Sequence, residues 1–354
     1  MKIGILTQHF LLNYGGIIQN YALQQVLIKL GHKPLTFEHD TCYGYFKWLL
    51  RSIKCILRTQ SFKNLPVRPV YKGRIGQKNF IKFILKHIQS VPVSKFTPSL
   101  TQYYNIEAYI VGSDQVWRPA FNLGERLGNM FLDFVNDNVR KIAYAASFGT
   151  NEWEFTKDQT IACSTLAKHF DAISVREDSG VKLCQEHLGV EAIHVLDPTL
   201  LLNKEDYLKI CACIPTRKRH LFVYSLTISD KLMAFATQIA KSTNLEIIIM
   251  EAGNKVKEED SIEQWLAHFR DADFVITDSF HGMVFSLIFN VPFNVVINKN
   301  GGASRYISLL SQLDLENRII ERVPFMDIID WDEVNKRLNR MKAQSLNFLK
   351  ETLS

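Results

Sequence analysis

The chain has 354 residues, of which 47% are apolar and 22% are charged, and its formal net charge at pH 7 is +6. This composition excludes a disordered chain, a collagen and a disulfide-rich scaffold, and it is typical of a folded globular protein. At ~100–200 residues per domain, the length predicts about two domains, each large enough to bury a core. We therefore expect the functional site in the cleft between them.

The apolar runs and the cysteines predict a cytoplasmic protein. No stretch reaches the ~18 consecutive apolar residues of a membrane span, and residues 1–7 resemble a buried strand without the cleavage site of a signal peptide. The cysteines form no C-x-x-C pair and no cluster at metal-ligand spacing, so we expect free thiols and no metal site. They are Cys42, Cys55, Cys163, Cys184, Cys211 and Cys213.

Strand-like and helix-like stretches alternate along the first half of the chain. Short runs rich in β-branched and aromatic residues predict strands at 2–6, 109–111, 142–147, 172–175 and 193–196. Amphipathic stretches predict helices at 17–30, 157–170 and 178–187. This alternation is the βαβ rhythm of a parallel, doubly wound sheet.

A second series of the same kind follows the loop at 214–219. It predicts strands at 221–226, 246–250, 274–277 and 293–297, with helices near 230–242, 262–270 and 281–290. The fold class we predict is therefore α/β, with two Rossmann-like domains. We expect an N-terminal domain at 1–205, a C-terminal domain at 206–330 and a terminal helix at 331–354.

Residues 41–90 carry eleven lysines and arginines and no acidic residue, so the rest of the chain has a net charge of −5. Apolar residues at helical spacing between these cations predict a basic helical insertion at about 41–100. A solvated helical pair is one interpretation, and peripheral contact with the anionic inner face of the cytoplasmic membrane is another. Nucleic acid is disfavoured, because the aromatic residues do not alternate with the cations.

In open α/β sheets, ligands bind at the carboxyl ends of the strands, so the polar residues that follow each predicted strand are candidate site residues. The first group is Asn13, Tyr14, Gly15 and Gly16, which stand before a helix. Paired glycines let backbone N–H groups approach a ligand, and a helix start favours an anion. The alternative is a turn that needs a positive φ.

The second group is Ser113, Asp114 and Gln115, which follow the predicted strand at 109–111. A carboxylate in this position can orient or deprotonate a hydroxyl group of a substrate. The alternative is that Asp114 only caps the following turn.

The third candidate is Arg176, at the end of the predicted strand at 172–175. Its planar guanidinium can hold a phosphate or a carboxylate through two hydrogen bonds. The alternative is a structural ion pair with Glu177 or with another acid.

The fourth group follows the predicted strand at 274–277 and consists of Asp278, Ser279, Phe280, His281 and Gly282. A histidine with hydroxyl and carboxylate neighbours suits proton transfer near neutral pH, and as a cation at a helix start it suits anion binding. The alternative is a helix capped by Ser279 beside an idle histidine.

Six motifs together resemble the polysaccharide pyruvyl transferase family, in the order and at the spacing of that family, over residues 1 to about 320. They lie at 13–15, 110–117, 144–149, 174–177, 196–200 and 277–282. The resemblance implies a GT-B-like architecture with the active site between two Rossmann-type domains. It also implies transfer of pyruvate from phosphoenolpyruvate to two hydroxyl groups of a sugar, which forms a ketal and releases phosphate.

The resemblance further implies that Arg176 contacts phosphoenolpyruvate and that His281 is the histidine of the family's His-Gly motif. Our hypothesis is that Arg176 and the backbone near Gly15, Gly16 and Gly282 bind the phosphate and the carboxylate. His281 is then a general acid or a phosphate ligand, Asp114 orients the acceptor and Asp278 positions His281. We expect no cofactor besides the donor. The expected acceptor is a sugar of a cell-surface polysaccharide or of its precursor, including a lipid-linked one.

Two alternatives stay open at this point. The same fold can carry a glycosyltransferase that uses a nucleotide sugar, because a fold does not determine a function. A non-catalytic family member that only binds saccharide is the other.

Overall fold

The computed structural model describes residues 1–10, 13–39, 78–252, 260–297 and 302–354. Most of the basic segment at 41–90, together with Cys42 and Cys55, lies outside the described residues, so its predicted insertion is assessed only from residue 78 onward. The described part contains two parallel β-sheets with helices packed on them. The α/β class with two Rossmann-like sheets is thereby confirmed.

The first sheet has seven parallel strands in the order β3-β2-β1-β4-β5-β6-β7. Its central strand β4 is buried at every residue, as expected for a parallel strand covered by helices on both faces. The strands are β1 (Lys2–Leu6), β2 (Lys33–His39), β3 (Ser90–Val93), β4 (Ala108–Val111), β5 (Arg140–Ala146), β6 (Ala172–Val175) and β7 (Ile193–His194).

Six helices accompany this sheet. The first begins three residues before the predicted start, because Asn13 caps it by accepting a hydrogen bond from the backbone N–H of Gly16. They are α1 (Tyr14–Lys29), α2 (Lys78–His87), α3 (Ser99–Tyr104), α4 (Glu125–Asn129), α5 (Lys157–Ala167) and α6 (Asp178–Leu183), the last continuing as a π-helical turn (Cys184–Leu188).

The second sheet has four parallel strands in the order β11-β10-β8-β9. They are β8 (His220–Ser225), β9 (Glu246–Glu251), β10 (Ala272–Thr277) and β11 (Phe293–Val295). The helices are α7 (Lys204–Cys211), α8 (Asp230–Thr243), α9 (Ile262–Asp271), α10 (Phe280–Phe289), α11 (Ala303–Gln312) and α12 (Trp331–Leu353).

The last helix, α12, returns to the first sheet. The side chain of Ser345 accepts a hydrogen bond from the backbone N–H of Leu196 at 2.9 Å, and Arg140 donates to the carbonyl of Thr352 at 2.8 Å. Phe348 packs near Tyr144 of β5, with 6.1 Å between the ring centroids. The helix therefore covers the sheet formed by the opposite end of the chain.

The sequence prediction was wrong at one edge of the first sheet. Residues 90–93, assigned to the helical insertion, form β3, and residues 33–39 form the unpredicted strand β2. Pro92 can be accommodated in β3 because this strand lies at the edge, where one side of the backbone has no partner in the sheet. The insertion therefore ends before residue 90.

Within the part of the chain that the structure describes, no helix has both the length and the apolarity needed to cross a membrane. The same residues contain no group of three or more histidine, cysteine, aspartate or glutamate side chains that could hold a metal ion. Of the four described cysteines, Cys163, Cys184 and Cys211 are buried free thiols, and Cys213 is exposed and free. Burial raises the pKa of Cys163 and of Cys184 to about 12.

Candidate active site

All four predicted groups converge where the two sheets meet, and three of them bring side chains into one cluster. Arg176 follows β6 of the first sheet, Asp114 follows β4, and His281 lies in the first turn of α10, directly after β10 of the second sheet. All three side chains are buried. We call Asp114, Arg176, Asp197, Phe280 and His281 the central cluster.

Arg176 lies between two carboxylates. Its Nη1 donates to Oδ2 of Asp197 at 2.7 Å, and its Nη2 lies 3.4 Å from Oδ1 of Asp114. Burial by itself would lower the pKa of Arg176, but the carboxylates of Asp197 and Asp114 raise it above its ordinary value. The structural ion pair left open by the sequence is therefore present, while the Nε of Arg176 has no hydrogen-bond partner.

Asp197 is the residue that sequence reasoning missed. Its Oδ2 accepts from Arg176 and, at 3.0 Å, from the hydroxyl of Ser113. Its Oδ1 accepts from the backbone N–H and the hydroxyl of Thr199. Burial would raise the pKa of Asp197, but Arg176 and His281 lower it to about 2. An aspartate next to proline after the last strand of the sheet was the available signal.

His281 faces this carboxylate without bonding to it. Its Nε2 lies 3.8 Å from Oδ2 of Asp197, beyond hydrogen-bond distance, and this buried nitrogen has no partner. Burial lowers the pKa of His281 to about 4, although Asp197 acts in the opposite direction. The imidazole is therefore neutral at pH 7 when the site is empty.

Two of the predicted backbone N–H groups are already used by helix caps. Gly16 donates to Oδ1 of Asn13 at 3.2 Å, and Gly282 donates to the hydroxyl of Ser279 at 3.4 Å. A Cβ atom on Gly15 would overlap the ring of His281, so this glycine serves the close approach of α1 to α10. The N–H groups of Gly16 and Gly282 are therefore engaged within the protein, and binding of the donor by the backbone near Gly15 stays a prediction.

Tyr14 connects the two halves of the molecule. Its ring stacks on Trp265 of α9, with 5.4 Å between the centroids, and its hydroxyl donates to the carbonyl of Asp260 at 2.8 Å. Both Tyr14 and Trp265 are buried in the same apolar core. These contacts are structural, whereas the sequence prediction gave Tyr14 a substrate-binding role.

Asp278 does not position His281. Its two carboxylate oxygens accept hydrogen bonds from the backbone N–H groups of Leu226 and Thr227, at 2.6 and 3.2 Å. Burial raises the pKa of Asp278. The role predicted for Asp278 is therefore wrong, and the carboxylate next to the imidazole is that of Asp197.

Asp114 is held in a left-handed backbone conformation with φ of 73°. Its Oδ1 accepts from the N–H of Gln115 at 2.9 Å in addition to its contact with Arg176. The side-chain oxygen of Gln115 in turn accepts from Arg118 at 3.1 Å. Among the described residues, none donates to Oδ2 of Asp114, so this oxygen stays available to an acceptor hydroxyl.

Phe280 packs against two buried arginines. The Cζ atom of Arg176 lies 4.8 Å from the ring centroid, and that of Arg305 lies 5.5 Å from it. These distances are in the cation–π range. Arg305 was not predicted, because α11, which carries it, was not recognised in the sequence.

Several buried polar atoms around the central cluster lack partners. They are Nε of Arg176, Nε2 of His281, Nε of Arg305 and Oε2 of Glu177. In native proteins more than about 90% of buried polar groups are hydrogen-bonded, and an unpaired one is costly. These four atoms are hydrogen-bonding groups that a polar ligand beside the central cluster can complete.

A family model described as polysaccharide pyruvyl transferase matches residues 13–300, which include every member of the central cluster. The chain belongs to this family. Among curated proteins, no sequence matches the chain. The family assignment therefore rests on the family model, and it agrees with the resemblance seen in the six motifs.

Two solved structures show the fold. UDP-GlcNAc 2-epimerase from Neisseria meningitidis, bound to UDP-GlcNAc, has a TM-score of 0.53 at 9% identity and covers 100% of this chain and 99% of its own. A putative UDP-N-acetylglucosamine 2-epimerase from Listeria monocytogenes has a TM-score of 0.50 at 9% identity, with coverage of 99% and 89%. At this identity the likeness concerns the fold alone, and it confirms the GT-B-like architecture.

Replacing Asp197 by asparagine should destabilise the protein by on the order of 3–5 kcal/mol at pH 7, because it leaves the buried Arg176 without its main counter-ion. The pKa of Asp197 in the folded protein, about 2, lies below its unfolded value of about 4. The carboxylate therefore stabilises the fold above pH ~4, and this contribution is lost as the pH falls from about 4 to about 2.

Urea unfolding at several pH values measures both effects. Asp197→Asn should flatten the pH dependence between pH ~4 and ~2, whereas the exposed control Asp327→Asn should leave it unchanged. A wild-type profile for Asp197→Asn would contradict the ion-pair assignment.

Proposed function

We propose that this family member transfers the pyruvyl group of phosphoenolpyruvate to two hydroxyl groups of a saccharide, which gives a pyruvate ketal and phosphate. The observation that carries the proposal is the pair of unpartnered nitrogens, Nε of Arg176 and Nε2 of His281, which flank one buried carboxylate, Asp197. The acceptor we propose is a sugar of a cell-surface polysaccharide or of its precursor, modified in the cytoplasm.

Arg176 is suited to holding the donor carboxylate. Asp197 fixes the guanidinium through Nη1, which leaves Nε unpartnered and Nη2 with a single contact of 3.4 Å to Asp114. These two nitrogens form one edge of a planar group, and such an edge can bind both oxygens of a carboxylate. The ion pair with Asp197 thus orients the arginine instead of saturating it.

The reaction needs one proton at carbon and two C–O bonds. The methylene carbon of the enol phosphate takes up a proton, and the first sugar hydroxyl adds to the adjacent carbon. The bond between that carbon and the phosphate oxygen breaks, and the second hydroxyl closes the ketal. Of the two hydroxyl protons, one is accounted for by the new methyl group and the other by the departing phosphate.

His281 can supply the proton to the methylene carbon once a donor is bound. In the empty site its pKa is about 4, mainly because of burial, so it carries no proton to give at pH 7. An anionic donor beside the ring stabilises the imidazolium and raises this pKa. Asp197, with its Oδ2 at 3.8 Å, then stabilises the charged ring. The histidine is charged only when there is a substrate to protonate.

Asp114 is suited to orienting the acceptor. Its Oδ1 is engaged by Arg176 and Gln115, and its Oδ2 remains for a sugar hydroxyl. A carboxylate within hydrogen-bond distance of the attacking hydroxyl can also accept its proton. This assignment places the acceptor beside β4 of the first sheet.

Turnover is tested by incubating the protein with phosphoenolpyruvate and a panel of synthetic or lipid-linked glycosides, with mass spectrometry detecting the added pyruvyl unit. Arg176→Ala should lower kcat/KM for phosphoenolpyruvate by about ten- to a hundred-fold or more, since it removes a charge-assisted contact. The matched control Arg340→Ala, at an exposed position of α12, should behave as wild type. Wild-type turnover in a folded Arg176→Ala protein would contradict the role of this arginine.

Measurements of ligand binding and of the thermal midpoint separate the alternatives. Phosphoenolpyruvate should raise the thermal midpoint of the protein, and UDP- or GDP-sugars should not. Stabilisation by a nucleotide sugar without effect of phosphoenolpyruvate would favour a glycosyltransferase. Saccharide binding without phosphate release would favour a non-catalytic role.

Binding of phosphoenolpyruvate at pH 7 should be accompanied by uptake of up to about one proton, because the pKa of His281 rises from about 4 in the empty site. Calorimetric titrations in buffers of different ionisation enthalpy measure this uptake. Since the complex loses its proton as the pH increases, affinity should fall at high pH. His281→Gln should abolish both effects, whereas His169→Gln, at an exposed position, should retain them. Equal proton uptake in His281→Gln and wild type would rule out this role for the histidine.

A further inference from the structure

Arg305 is a buried cation that has no counter-ion among the described residues. Only 8% of its surface is exposed, and its Nε is buried without a hydrogen-bond partner. In the described part of the chain, no carboxylate or carbonyl oxygen lies within bonding distance of its guanidinium. Buried charges are ordinarily paired, because removing an ion from water is costly. An unpaired one points to a partner that comes from solution.

The two buried arginines, Arg176 and Arg305, differ in their ion-pair partners. Arg176 is held by Asp197 and Asp114, whereas Arg305 forms no ion pair with any described residue and contacts the face of Phe280. Asp114 and Glu177 attract Arg305 from beyond ion-pair distance, but burial and the charge of Arg176 outweigh them and lower the pKa of Arg305. The described residues therefore do not compensate the charge of Arg305.

The helix that carries Arg305 adds to the positive potential. Arg305 is the third residue of α11, and the residue before this helix, Gly302, provides no side-chain cap. Gly302 has a φ of 71°, and a Cβ atom there would run into the guanidinium of Arg305, which folds back over the helix start. The N–H groups of the first helical turn and the guanidinium thus lie together, a combination that favours a phosphate group.

The position of α11 brings Arg305 and the N-terminal turn of this helix to the central cluster. The helix follows β11 of the second sheet and packs against α10, which carries His281 and Phe280. On its other side, Ser308 accepts a hydrogen bond from the backbone N–H of Asp178 at 3.0 Å, next to the strand end that presents Arg176. Arg176 and Arg305 consequently approach the same ring, that of Phe280, from different halves of the molecule.

We propose that Arg305 and the N-terminal turn of α11 form the subsite for the phosphate group of the donor, while Arg176 holds the carboxylate. This inference rests on the proposed function and adds to it the orientation of phosphoenolpyruvate. The donor then bridges the two sheets, with its carboxylate on the first and its leaving group on the second. Phosphate, the released product, binds at the same subsite.

Binding of inorganic phosphate and of phosphoenolpyruvate is measured by calorimetry for wild type, Arg305→Gln, Arg305→Lys and the exposed control Arg340→Gln. Arg305→Gln should weaken both ligands by about ten- to a hundred-fold, which is the effect of losing a charge-assisted contact. Arg305→Lys should retain part of the affinity, because it keeps the charge and loses the planar fork. Arg340→Gln should match wild type.

A purely structural role of Arg305 makes the opposite prediction for stability. If Arg305 only packs on Phe280, Arg305→Gln should lower the thermal midpoint without ligand and should leave phosphate-induced stabilisation intact. If it forms the phosphate subsite, the midpoint without ligand should be unchanged or higher, since an uncompensated buried charge is gone. The upward shift caused by phosphate should then be lost.

The outcomes separate this inference from the proposed function. Wild-type phosphate affinity in Arg305→Gln would overturn the phosphate subsite and leave the transferase proposal standing. Phosphate binding that depends on Arg305, in a protein that neither binds nor turns over phosphoenolpyruvate, would support the phosphate subsite. It would overturn the assignment of phosphoenolpyruvate as the donor. A wild-type protein that binds neither ligand would overturn both.

Discussion

The buried ion pair between Arg176 and Asp197 is the interaction on which the rest of the site depends. The two residues follow different strands of the first sheet, and their 2.7 Å contact lies in a low-dielectric environment where an unpaired charge of either sign would be costly. Ser113 and Thr199 satisfy the remaining lone pairs of the carboxylate. The pair therefore defines the orientation of the guanidinium before any ligand arrives, which is what a preorganised anion site requires.

The second half of the molecule is fitted against this pair through a small number of close contacts. Gly15 allows the ring of His281 to approach α1. Tyr306 donates through its hydroxyl to the carbonyl of Asp278 at 2.6 Å, which connects α11 to the turn before α10. Because these contacts are buried, His281 and Arg305 are positioned by the same packing that joins the two sheets. Under the proposed function, substrate binding and the arrangement of the two halves are thus coupled in one place.

The fold was largely predictable because parallel strands covered on both faces are short apolar runs, and β4, β6 and β10 show this pattern clearly. The strands β2 and β3 were not predicted, since they carry charged residues or proline and lack a clear apolar run. The rule that ligands bind at strand ends singled out Arg176 and His281, and the structure brings both next to Asp197. The rule could not show that Asp197 would be their common partner, because that pairing is a product of tertiary packing. Arg305 was missed because its helix, which buries Tyr306, Leu309 and Leu310, was not recognised in the sequence.

A crystal structure of the protein with phosphoenolpyruvate bound is the most direct test of the proposed site. We expect the carboxylate on the Nε and Nη2 edge of Arg176, the phosphate on Arg305 and the first turn of α11, and the methylene carbon facing Nε2 of His281. A donor bound away from the central cluster, or bound there with neither arginine in contact with its anionic groups, would contradict it.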